Sequence, residues 1–302
     1  DLEQLVDLPF DELAAYALGP DEREAIRGSR DPRRAFFEAW TRFEALVKLE
    51  GRGLAAALAP PRVLWLMVPA GAVDATLEAL LPLLGQGDMV VDGGNSHYRD
   101  SQRRAAHCQD LGVHFLDCGT SGGVWGLEAG YSLMVGGDAD AVARLRPLLE
   151  TLAPAPDRGW GHVGPSGAGH FAKMVHNGIE YGMMQAYAEG FALMARKQEL
   201  GLDLAQVARI WQHGSVVRSW LLDLAADALA DNPGLEGIAP YVADSGEGRW
   251  TVAEAIDLDV PAPVITASLM ERLRSRERNS FTDRLLAALR HRFGGHGIAR
   301  AS

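Results

Sequence analysis

The sequence predicts an α/β protein in which a parallel β-sheet with crossover helices, incomplete at its amino-terminal end, is followed by an all-helical C-terminal domain. Between residues 60 and 164, short β-rich runs that end in Gly, Asn or Asp alternate with helical stretches. From Gly167 onward, and also over residues 1–58, apolar residues recur at helical spacing. We therefore expect a helical segment at 1–58, a partial α/β domain at 59–164 and a helical domain at 165–302.

The composition is that of a globular protein and argues against several classes of partner. The 302 residues include 29 Lys and Arg against 40 Asp and Glu, so the net charge of −11 would repel a nucleic-acid backbone. No apolar run approaches the roughly 20 residues that span a bilayer, and no leader pattern opens the chain, so we expect no membrane partner. The two cysteines, Cys108 and Cys118, form neither a disulfide framework nor a metal site, which suits a cytoplasmic protein.

Four runs are predicted to be strands, and three of them lead into polar tips that are rich in glycine. The strands are Val63–Val68, Met89–Asp92, His114–Cys118 and Ser132–Val135, and the tips are Pro69-Ala-Gly71, Gly93-Gly-Asn-Ser96 and Gly119-Thr-Ser-Gly-Gly123. In parallel sheets, ligands bind beyond the carboxyl ends of the strands, so the tips are expected to share one binding rim. The alternative is that each tip is an ordinary tight βα turn. The stretch Pro154–Gly169 is expected to be a linker.

One segment carries an unusual mixture of side chains at helical spacing: Gly167-Ala-Gly-His-Phe-Ala-Lys173-Met-Val-His176-Asn177-Gly-Ile-Glu180-Tyr181. At about 100° per residue, Lys173, Asn177 and Glu180 fall within about 60° of one another on a helix. His176 and Tyr181 flank that face. An amine, an amide, a carboxyl, an imidazole and a phenol on one side of a helix are typical of a reaction site, whereas the alternative is ordinary surface electrostatics.

Lys173 is one of only three lysines, the others being Lys48 and Lys197, beside 26 arginines. Arginine serves in most places where positive charge is needed, so the amine at position 173 is expected to have a role of its own. A guanidinium does not lose its proton in a protein, whereas a desolvated amine can act as a general base.

Six motifs in order resemble a known family: Trp65-Leu-Met-Val-Pro-Ala-Gly71, Val91-Asp-Gly-Gly-Asn-Ser96, Gly119-Thr-Ser-Gly-Gly123, Lys173-Met-Val-His-Asn-Gly-Ile-Glu-Tyr181, Gly246-Glu-Gly-Arg-Trp-Thr251 and Arg290-His-Arg-Phe-Gly-Gly-His296. From about Ala59 to Ile298, the sequence resembles the short bacterial class of decarboxylating 6-phosphogluconate dehydrogenase. The resemblance implies a Rossmann-like dinucleotide-binding domain, here partial, and a helical domain for substrate binding and dimerisation.

The resemblance also implies a reaction, the oxidative decarboxylation of 6-phosphogluconate to ribulose 5-phosphate and carbon dioxide with reduction of NAD or NADP. Lys173 would take the proton from the C3 hydroxyl and later return one to the enolate. Glu180 would protonate C1 of the enediol, and Asn177 would complete the catalytic set. A β-keto acid loses carbon dioxide readily, so no metal is required.

The same resemblance implies the binding residues. The substrate would be held by Asn95, Ser121, Gly122, Gly123, His176, Asn177, Tyr181, Arg272, Arg290 and His296, and the cofactor by Val68, Pro69, Ala70 and Asn95. NAD is favoured over NADP because the short class tends towards it. In this family the terminal tail with Arg290 and His296 reaches into the neighbouring subunit's active site, which implies a homodimer. The alternative for Arg290 is a solvated basic helix end.

The amino-terminal part departs from that family, because no strand followed by a Gly-x-Gly-x-x-Gly turn is found there. Gly51-Arg-Gly-Leu-Ala-Ala56 matches the glycine spacing, but it follows a charged helical stretch and not a strand. A helix N-terminus that would bind the pyrophosphate is then missing. We therefore expect cofactor affinity to be weak or absent and activity to be impaired.

Residues 18–54 instead resemble the carboxyl-terminal part of the 4′-phosphopantetheinyl transferases, through Leu18-Gly-Pro-Asp-Glu-Arg23, the run from Phe36 to Lys48, and Gly51-Arg-Gly-Leu54. In that family a helix supplies a magnesium-binding glutamate, here Glu44, and a lysine, here Lys48; Phe43 stands where that family has Lys. The alternative is a plain amphipathic helix.

Three functions remain in competition. The first is an NAD(P)-dependent 6-phosphogluconate dehydrogenase. The second is a remnant phosphopantetheinyl transferase that uses Glu44. The third is a non-catalytic helical oligomerisation module built on residues 167–296.

Overall fold

The computed structural model describes residues 58–294 and 297–299, and the chain divides into two compact units between Met174 and Val175. The predicted helical segment at 1–58, with the transferase-like residues Glu44 and Lys48, lies outside the described residues apart from its last position. The division falls ten residues beyond the expected boundary at 164/165, because one long helix begins in the first unit and continues into the second.

The first unit is built on a five-stranded sheet in the order β1-β2-β3-β4-β5. The strands are β1 Val63–Leu66, β2 Met89–Asp92, β3 His114–Ser121, β4 Ser132–Gly136 and β5 Trp160–Gly164. The four predicted strands are thus confirmed, with ends that differ by up to three residues. β5 was missed, and it lies within the stretch Pro154–Gly169 that we expected to be only a linker.

Three of the four strand pairings are parallel, whereas β3 and β4 are antiparallel, with Ser121 opposite Ser132. The predicted parallel sheet is therefore confirmed as predominantly parallel, with β3 and β4 as its antiparallel pair. The ten residues 122–131 connect the two strands and hold a 3₁₀ turn, Gly123–Trp125, and one short α-helix, Gly126–Ala129. A parallel return needs a crossover of a dozen or more residues, so the chain turns back along the strand it has just left.

Helices cover both faces of this sheet, which explains why all four residues of β2 are buried. Successive side chains of a strand point to opposite faces. On one face, Met89 and Val91 belong to a core cluster with Leu145 and Leu149; on the other, Val90 belongs to a cluster with Leu77 and Cys108. The helices of this unit are α1 Val73–Leu80, α2 Tyr98–Asp110, α3 Gly126–Ala129 and α4 Ala139–Leu152.

The second unit is helical, as predicted for the C-terminal part of the chain. Helix α5, Ala168–Arg196, starts in the first unit and continues into the second, where it is followed by α6 Leu204–Trp211, α7 Trp220–Asp231, α8 Glu247–Asp257, α9 Pro263–Ser275 and α10 Phe281–Gly294. Phe191 of α5 forms a buried cluster with Ala208 of α6 and Leu222 of α7. Within the described ranges, none of the helices combines the length and apolarity needed to cross a bilayer.

Candidate functional site

The carboxyl ends of β1, β2 and β3 meet at one edge of the sheet, because these three strands run parallel. Asp92, the last residue of β2, pairs with Asp117, so β3 continues for four more residues, to Ser121. Gly119 was expected in a loop after the strand but lies within β3. Only Gly122 and Gly123 of that predicted tip follow the strand, and both have positive φ, 146° and 53°.

Lys173 lies directly against this extension of β3. Its side chain is buried, with 7% exposure, and a Cβ atom added at Gly119 would lie only 2.4 Å from its Cβ. The same added atom would lie 2.6 Å from the carbonyl oxygen of Gly169. The first turns of α5 therefore pack on the backbone of the strand, and a glycine at position 119 is what permits this approach.

Asp117 holds the start of α5 in place. The Gly167 backbone N–H donates to its Oδ1 at 2.6 Å, and the His170 N–H donates to its Oδ2 at 2.8 Å. A carboxylate at a helix N-terminus satisfies N–H groups that have no partner within the helix and interacts favourably with the helix dipole. Nδ1 of the buried His170 pairs with Ser101 Oγ at 2.7 Å, and within the described part of the chain its Nε2 has no hydrogen-bond partner.

The predicted cofactor residues lie in two segments at the same edge, the β1 loop (residues 67–72) and the β2 loop (residues 93–97). A Cβ atom on Gly94 would lie 2.8 Å from the Val68 carbonyl oxygen, so the two loops are in close contact. Asn95 is exposed, while the flanking residue Ser96 is buried and donates to Asp92 Oδ2 at 2.6 Å. Pro69 is exposed and Ala70 partly exposed.

In the second unit, α5 carries the other residues of the predicted face. His176 Nδ1 lies 3.0 Å from Asn177 Oδ1 and 3.9 Å from Glu180 Oε2. α5 is continuous from Lys173 to Glu180, so the two side chains lie two turns apart on one face, as their spacing predicted.

Tyr181 is buried and lies between two groups of the second unit. The Arg272 guanidinium carbon is 3.4 Å from the centre of its ring, and a Cβ atom on Gly248 would be 2.5 Å from its Cε2. Its hydroxyl donates to Asp244 Oδ1 at 3.5 Å. Two predicted substrate residues, Tyr181 and Arg272, are thereby brought together in a stacked pair of the cation–π type.

Asp244 supports this stack. Burial alone would raise the pKa of this carboxyl, but hydrogen bonds from Arg249 Nε and the Gly246 N–H, with the charge of Arg276, outweigh that effect and hold the pKa below its usual value. The carboxylate thus stays ionised. It accepts hydrogen bonds from Arg249, the Gly246 N–H and Tyr181, and it pairs with Arg276.

Two further residues predicted to bind the substrate, Arg290 and His296, belong to the carboxyl-terminal part of the chain. Arg290 lies on α10 and is exposed, and His296 lies outside the described residues.

Residues 58–294 and 297–299 contain no group of three or more His, Cys, Asp or Glu side chains that could hold a metal ion. Burial raises the pKa of the Cys118 thiol to about 12, which leaves it protonated and unreactive.

Sequence reasoning missed the residues that position the others, namely Asp117, Gly248, Asp244 and Arg104, a buried arginine of α2 that bonds to Ala70 of the β1 loop and Ser96 of the β2 loop. Asp117 accepts from the N–H of Gly167, 50 residues later, at the start of α5, and Gly248 packs on a ring 67 residues earlier. Gly248 lies in the motif Gly246-Glu-Gly-Arg-Trp-Thr251, but the spacing of residues within that motif does not predict a contact with Tyr181. Arg104 is one of 26 arginines, so its residue type alone carried no signal.

Two family profiles match the chain. One, described as the NAD binding domain of 6-phosphogluconate dehydrogenase, matches residues 36–163, and the other, described as the 6-phosphogluconate dehydrogenase C-terminal domain, matches residues 169–292. The first match begins inside the segment for which a resemblance to the transferases was noted and includes Glu44 and Lys48.

Relatives and solved structures agree with these profiles. The NAD(+)-dependent, decarboxylating 6-phosphogluconate dehydrogenase of Haloferax volcanii is 51% identical over 239 residues, which is 78% of each chain. The NADP(+)-dependent decarboxylating enzyme of Bacillus subtilis is 40% identical over 230 residues, 72% of this chain and 48% of its own length. The 6-phosphogluconate dehydrogenase of Plasmodium falciparum, solved apo, with NADP+ and with 6-phosphogluconate, superposes with a TM-score of 0.69 at 29% identity over 88% of this chain and 60% of its own.

Proposed function

The chain belongs to the 6-phosphogluconate dehydrogenase family, and on that premise we propose that it oxidises and decarboxylates 6-phosphogluconate to ribulose 5-phosphate and carbon dioxide, with reduction of a nicotinamide cofactor. The observation that carries the proposal is the buried Lys173 against Gly119 of β3, at the head of a helix face that also bears Asn177 and Glu180.

Lys173 is proposed as the base that removes the proton from the C3 hydroxyl. Its place is set from two sides, since the Asp117 carboxylate caps α5 and the absence of a side chain at Gly119 lets the lysine approach β3. Such fixed placement is what general-base catalysis requires, because the base must lie within hydrogen-bond reach of the proton that it abstracts. After carbon dioxide leaves, the protonated amine returns a proton to the enolate oxygen.

Glu180 is proposed as the acid that protonates C1 of the enediol. It follows Lys173 by seven residues on α5, which is a spacing of about two helical turns. Asn177 would orient the substrate. Its amide oxygen lies 3.0 Å from His176 Nδ1, so its amide N–H groups are the end that would donate to a substrate hydroxyl.

The residues at the sheet edge fit a nicotinamide cofactor. Asn95 is exposed, and a Cβ atom at Gly71 would meet nothing within 4 Å, so the β1 and β2 loops leave open backbone beyond the strand ends. Val68, Pro69, Ala70 and Asn95 would hold the cofactor, which supplies an acceptor for the hydride from C3. NAD is proposed over NADP, in keeping with the NAD(+)-dependent relative of Haloferax volcanii.

The substrate phosphate is proposed to lie near the stack of Arg272 on Tyr181. Arg272 Nη1 donates to the Ala243 carbonyl oxygen at 3.1 Å and Nη2 to Met184 Sδ at 3.5 Å, and each of these nitrogens carries a second N–H that can donate to a phosphate oxygen. Ser121, Gly122, Gly123 and His176 would hold the rest of the sugar acid, and Arg290 and His296 would reach the site of a second subunit.

A homodimer is the second part of the proposal, and the exposed apolar residues of α10 support it. Phe281, Leu285, Leu286 and Leu289 lie on one side of this helix, and each is at least 46% exposed. Leu285→Asp should convert a dimer to a monomer in analytical ultracentrifugation. Ala287→Asp, about 200° around the helix from Leu285, is the matched control and should leave the dimer intact.

The proposal is tested by following the absorbance of reduced nicotinamide with 6-phosphogluconate and either NAD or NADP. Lys173→Arg keeps the positive charge but removes a base that can lose its proton, and kcat should fall by about 10²–10⁴. Lys197→Arg is the matched control, because that lysine is exposed and pairs with the exposed Glu199, and it should leave kcat unchanged.

Absence of turnover in the unchanged chain, or full activity of Lys173→Arg, would contradict the proposal. Calorimetric titration with NAD and NADP measures the cofactor preference. It also tests the expectation from the sequence that cofactor affinity is weak, which binding in the micromolar range would contradict.

A further inference from the structure

Arg104 is a buried arginine in the middle of α2, with 3% of its side chain exposed. Its Nε donates to Asp74 Oδ1 at 2.8 Å, its Nη1 to Asp92 Oδ2 at 3.3 Å and to Ser96 Oγ at 3.2 Å, and its Nη2 to the Ala70 carbonyl oxygen at 3.4 Å. One guanidinium therefore has four acceptors on two stretches of the chain, residues 70–74 and 92–96.

Three of these acceptors belong to the sheet edge at which the cofactor is proposed to bind. The Ala70 carbonyl is part of the β1 loop, Ser96 is part of the β2 loop, and Asp92 ends β2 directly before that loop. The two loops contain all four residues predicted to contact the cofactor. The Arg104 side chain thus connects the two cofactor loops through its hydrogen bonds to the Ala70 carbonyl oxygen and to Ser96 Oγ.

Asp92 accepts hydrogen bonds from the two residues that flank Asn95, namely Gly94 and Ser96. Its Oδ1 accepts from the Gly94 N–H at 3.2 Å and its Oδ2 from Ser96 Oγ at 2.6 Å, whereas the Asn95 side chain between them is exposed. Asp92 is fully buried, so its charge needs a cation, and Arg104 supplies it. Loss of that cation would leave a buried carboxylate unpaired at the base of the β2 loop.

We propose that Arg104 is a positioning residue which, through Asp92 and Ser96, holds Asn95 and the β1 loop in the arrangement that receives the nicotinamide cofactor. The inference rests on the proposed function for the identity of the ligand. The planar fork of arginine suits this task because its donors point in fixed, different directions, whereas a lysine ammonium is a single point that cannot reach four acceptors.

The neighbouring Arg103 provides a matched control. It also bonds to Asp74, at 2.8 Å, but its other bond goes to Asp100, and its side chain is 58% exposed. Hydrogen bonds from Arg104 and then Arg103 lower the pKa of Asp74 to about 2, so both arginines act on that carboxylate. Of these two arginines, only Arg104 also donates hydrogen bonds to the β1 loop and the β2 loop.

The experiment compares Arg104→Lys with Arg103→Lys in the full chain. The Kd for NADH is measured by fluorescence titration, and amide hydrogen exchange is measured without ligand in peptides covering the β1 loop, the β2 loop and, as an internal reference, β3. Arg104→Lys should raise the Kd about tenfold, accelerate exchange in both loops and leave β3 unchanged. Arg103→Lys should match the unchanged chain in all three measurements.

Ser96→Ala serves as a second variant if Arg104→Lys does not fold, since it keeps the pair between Arg104 and Asp92. It should accelerate exchange in the β2 loop alone and raise the Kd by a smaller factor. Unchanged loop exchange in Arg104→Lys or, in its absence, in Ser96→Ala would overturn the proposal. An equal acceleration in β3 would do the same, because it would mark a general structural role. If the unchanged chain neither binds NADH nor oxidises 6-phosphogluconate, the proposed function fails, while the exchange data still decide what Arg104 does.

Discussion

Gly119 of β3 and Lys173 of α5 approach so closely that a Cβ atom at the glycine would lie 2.4 Å from the Cβ of the lysine. Real side chains do not tolerate such a separation, so any larger residue at position 119 must displace the lysine, the helix or the strand. The position of the proposed base therefore depends on a residue that has no side chain.

The first prediction concerns Gly119→Ala. The added methyl group meets backbone at Gly169 as well as Lys173, and neither can move easily, so the free energy of unfolding should fall by about 1–3 kcal/mol and kcat should fall with it. Urea denaturation and steady-state kinetics measure the two effects. Gly161→Ala in β5 is the control, because a Cβ atom there would meet nothing within 4 Å and both quantities should stay unchanged.

The second prediction separates helix capping from placement of the lysine. Asp117→Ala removes the acceptor of the Gly167 and His170 N–H groups, and Asp138→Ala removes the acceptor of the Ala141 N–H at the start of α4. Each change should cost about 1–2 kcal/mol of stability, as loss of a cap generally does. Only Asp117→Ala should lower kcat, since only α5 carries Lys173. Equal kcat values for the two variants would count against the proposed role of this cap.

The third prediction concerns the stack of Arg272 on Tyr181. Arg272→Lys keeps the charge but loses the planar group, so KM for 6-phosphogluconate should rise about tenfold or more with a smaller change in kcat. Arg274→Lys, on the same helix but exposed and paired with Asp283, is the control and should leave KM unchanged. A rise in KM for the cofactor alone would show that the stack does not contact the sugar acid.

The fourth prediction concerns stability in acid. Burial alone would raise the pKa of Asp88, but hydrogen bonds from the Arg62 and Gly85 N–H groups and from the Arg62 guanidinium outweigh it and lower the pKa. A pKa that is lower in the folded state means that the ionised carboxylate stabilises the fold above the unfolded-state value of about 3.9, and that this contribution disappears as the pH falls further.

Asp88→Asn should therefore be less stable than the unchanged chain at pH 7, by about 1–3 kcal/mol, and the difference should shrink below about pH 4. Urea denaturation at several pH values measures it. Asp157→Asn, a change at an exposed aspartate beside Arg158, should show no such difference at any pH. A difference for Asp88→Asn that stays constant down to pH 2 would contradict the assignment.

Much of the fold could be predicted from local pattern. The four predicted strands and the helical C-terminal unit follow from hydrophobic periodicity, which is a property of neighbouring residues. β5 and the antiparallel return of β4 were not predictable in this way, because Trp160–Gly164 has little hydrophobic alternation and strand direction depends on how the connection at 122–131 packs.

The sequence by itself determined the helix face with Lys173, Asn177 and Glu180, since a spacing of four and seven residues places side chains together in any α-helix. It also determined the glycine-rich segments that follow β1 and β2, whereas the third segment begins inside β3 at Gly119. Only the tertiary structure decided which residues hold these groups in place: Gly119 beneath the lysine, Asp117 at the head of its helix, and Arg104 behind the two loops. These contacts join residues that lie between 8 and 54 positions apart in the chain. Periodicity reports on neighbours along one element, whereas such contacts arise only when separate elements pack against each other.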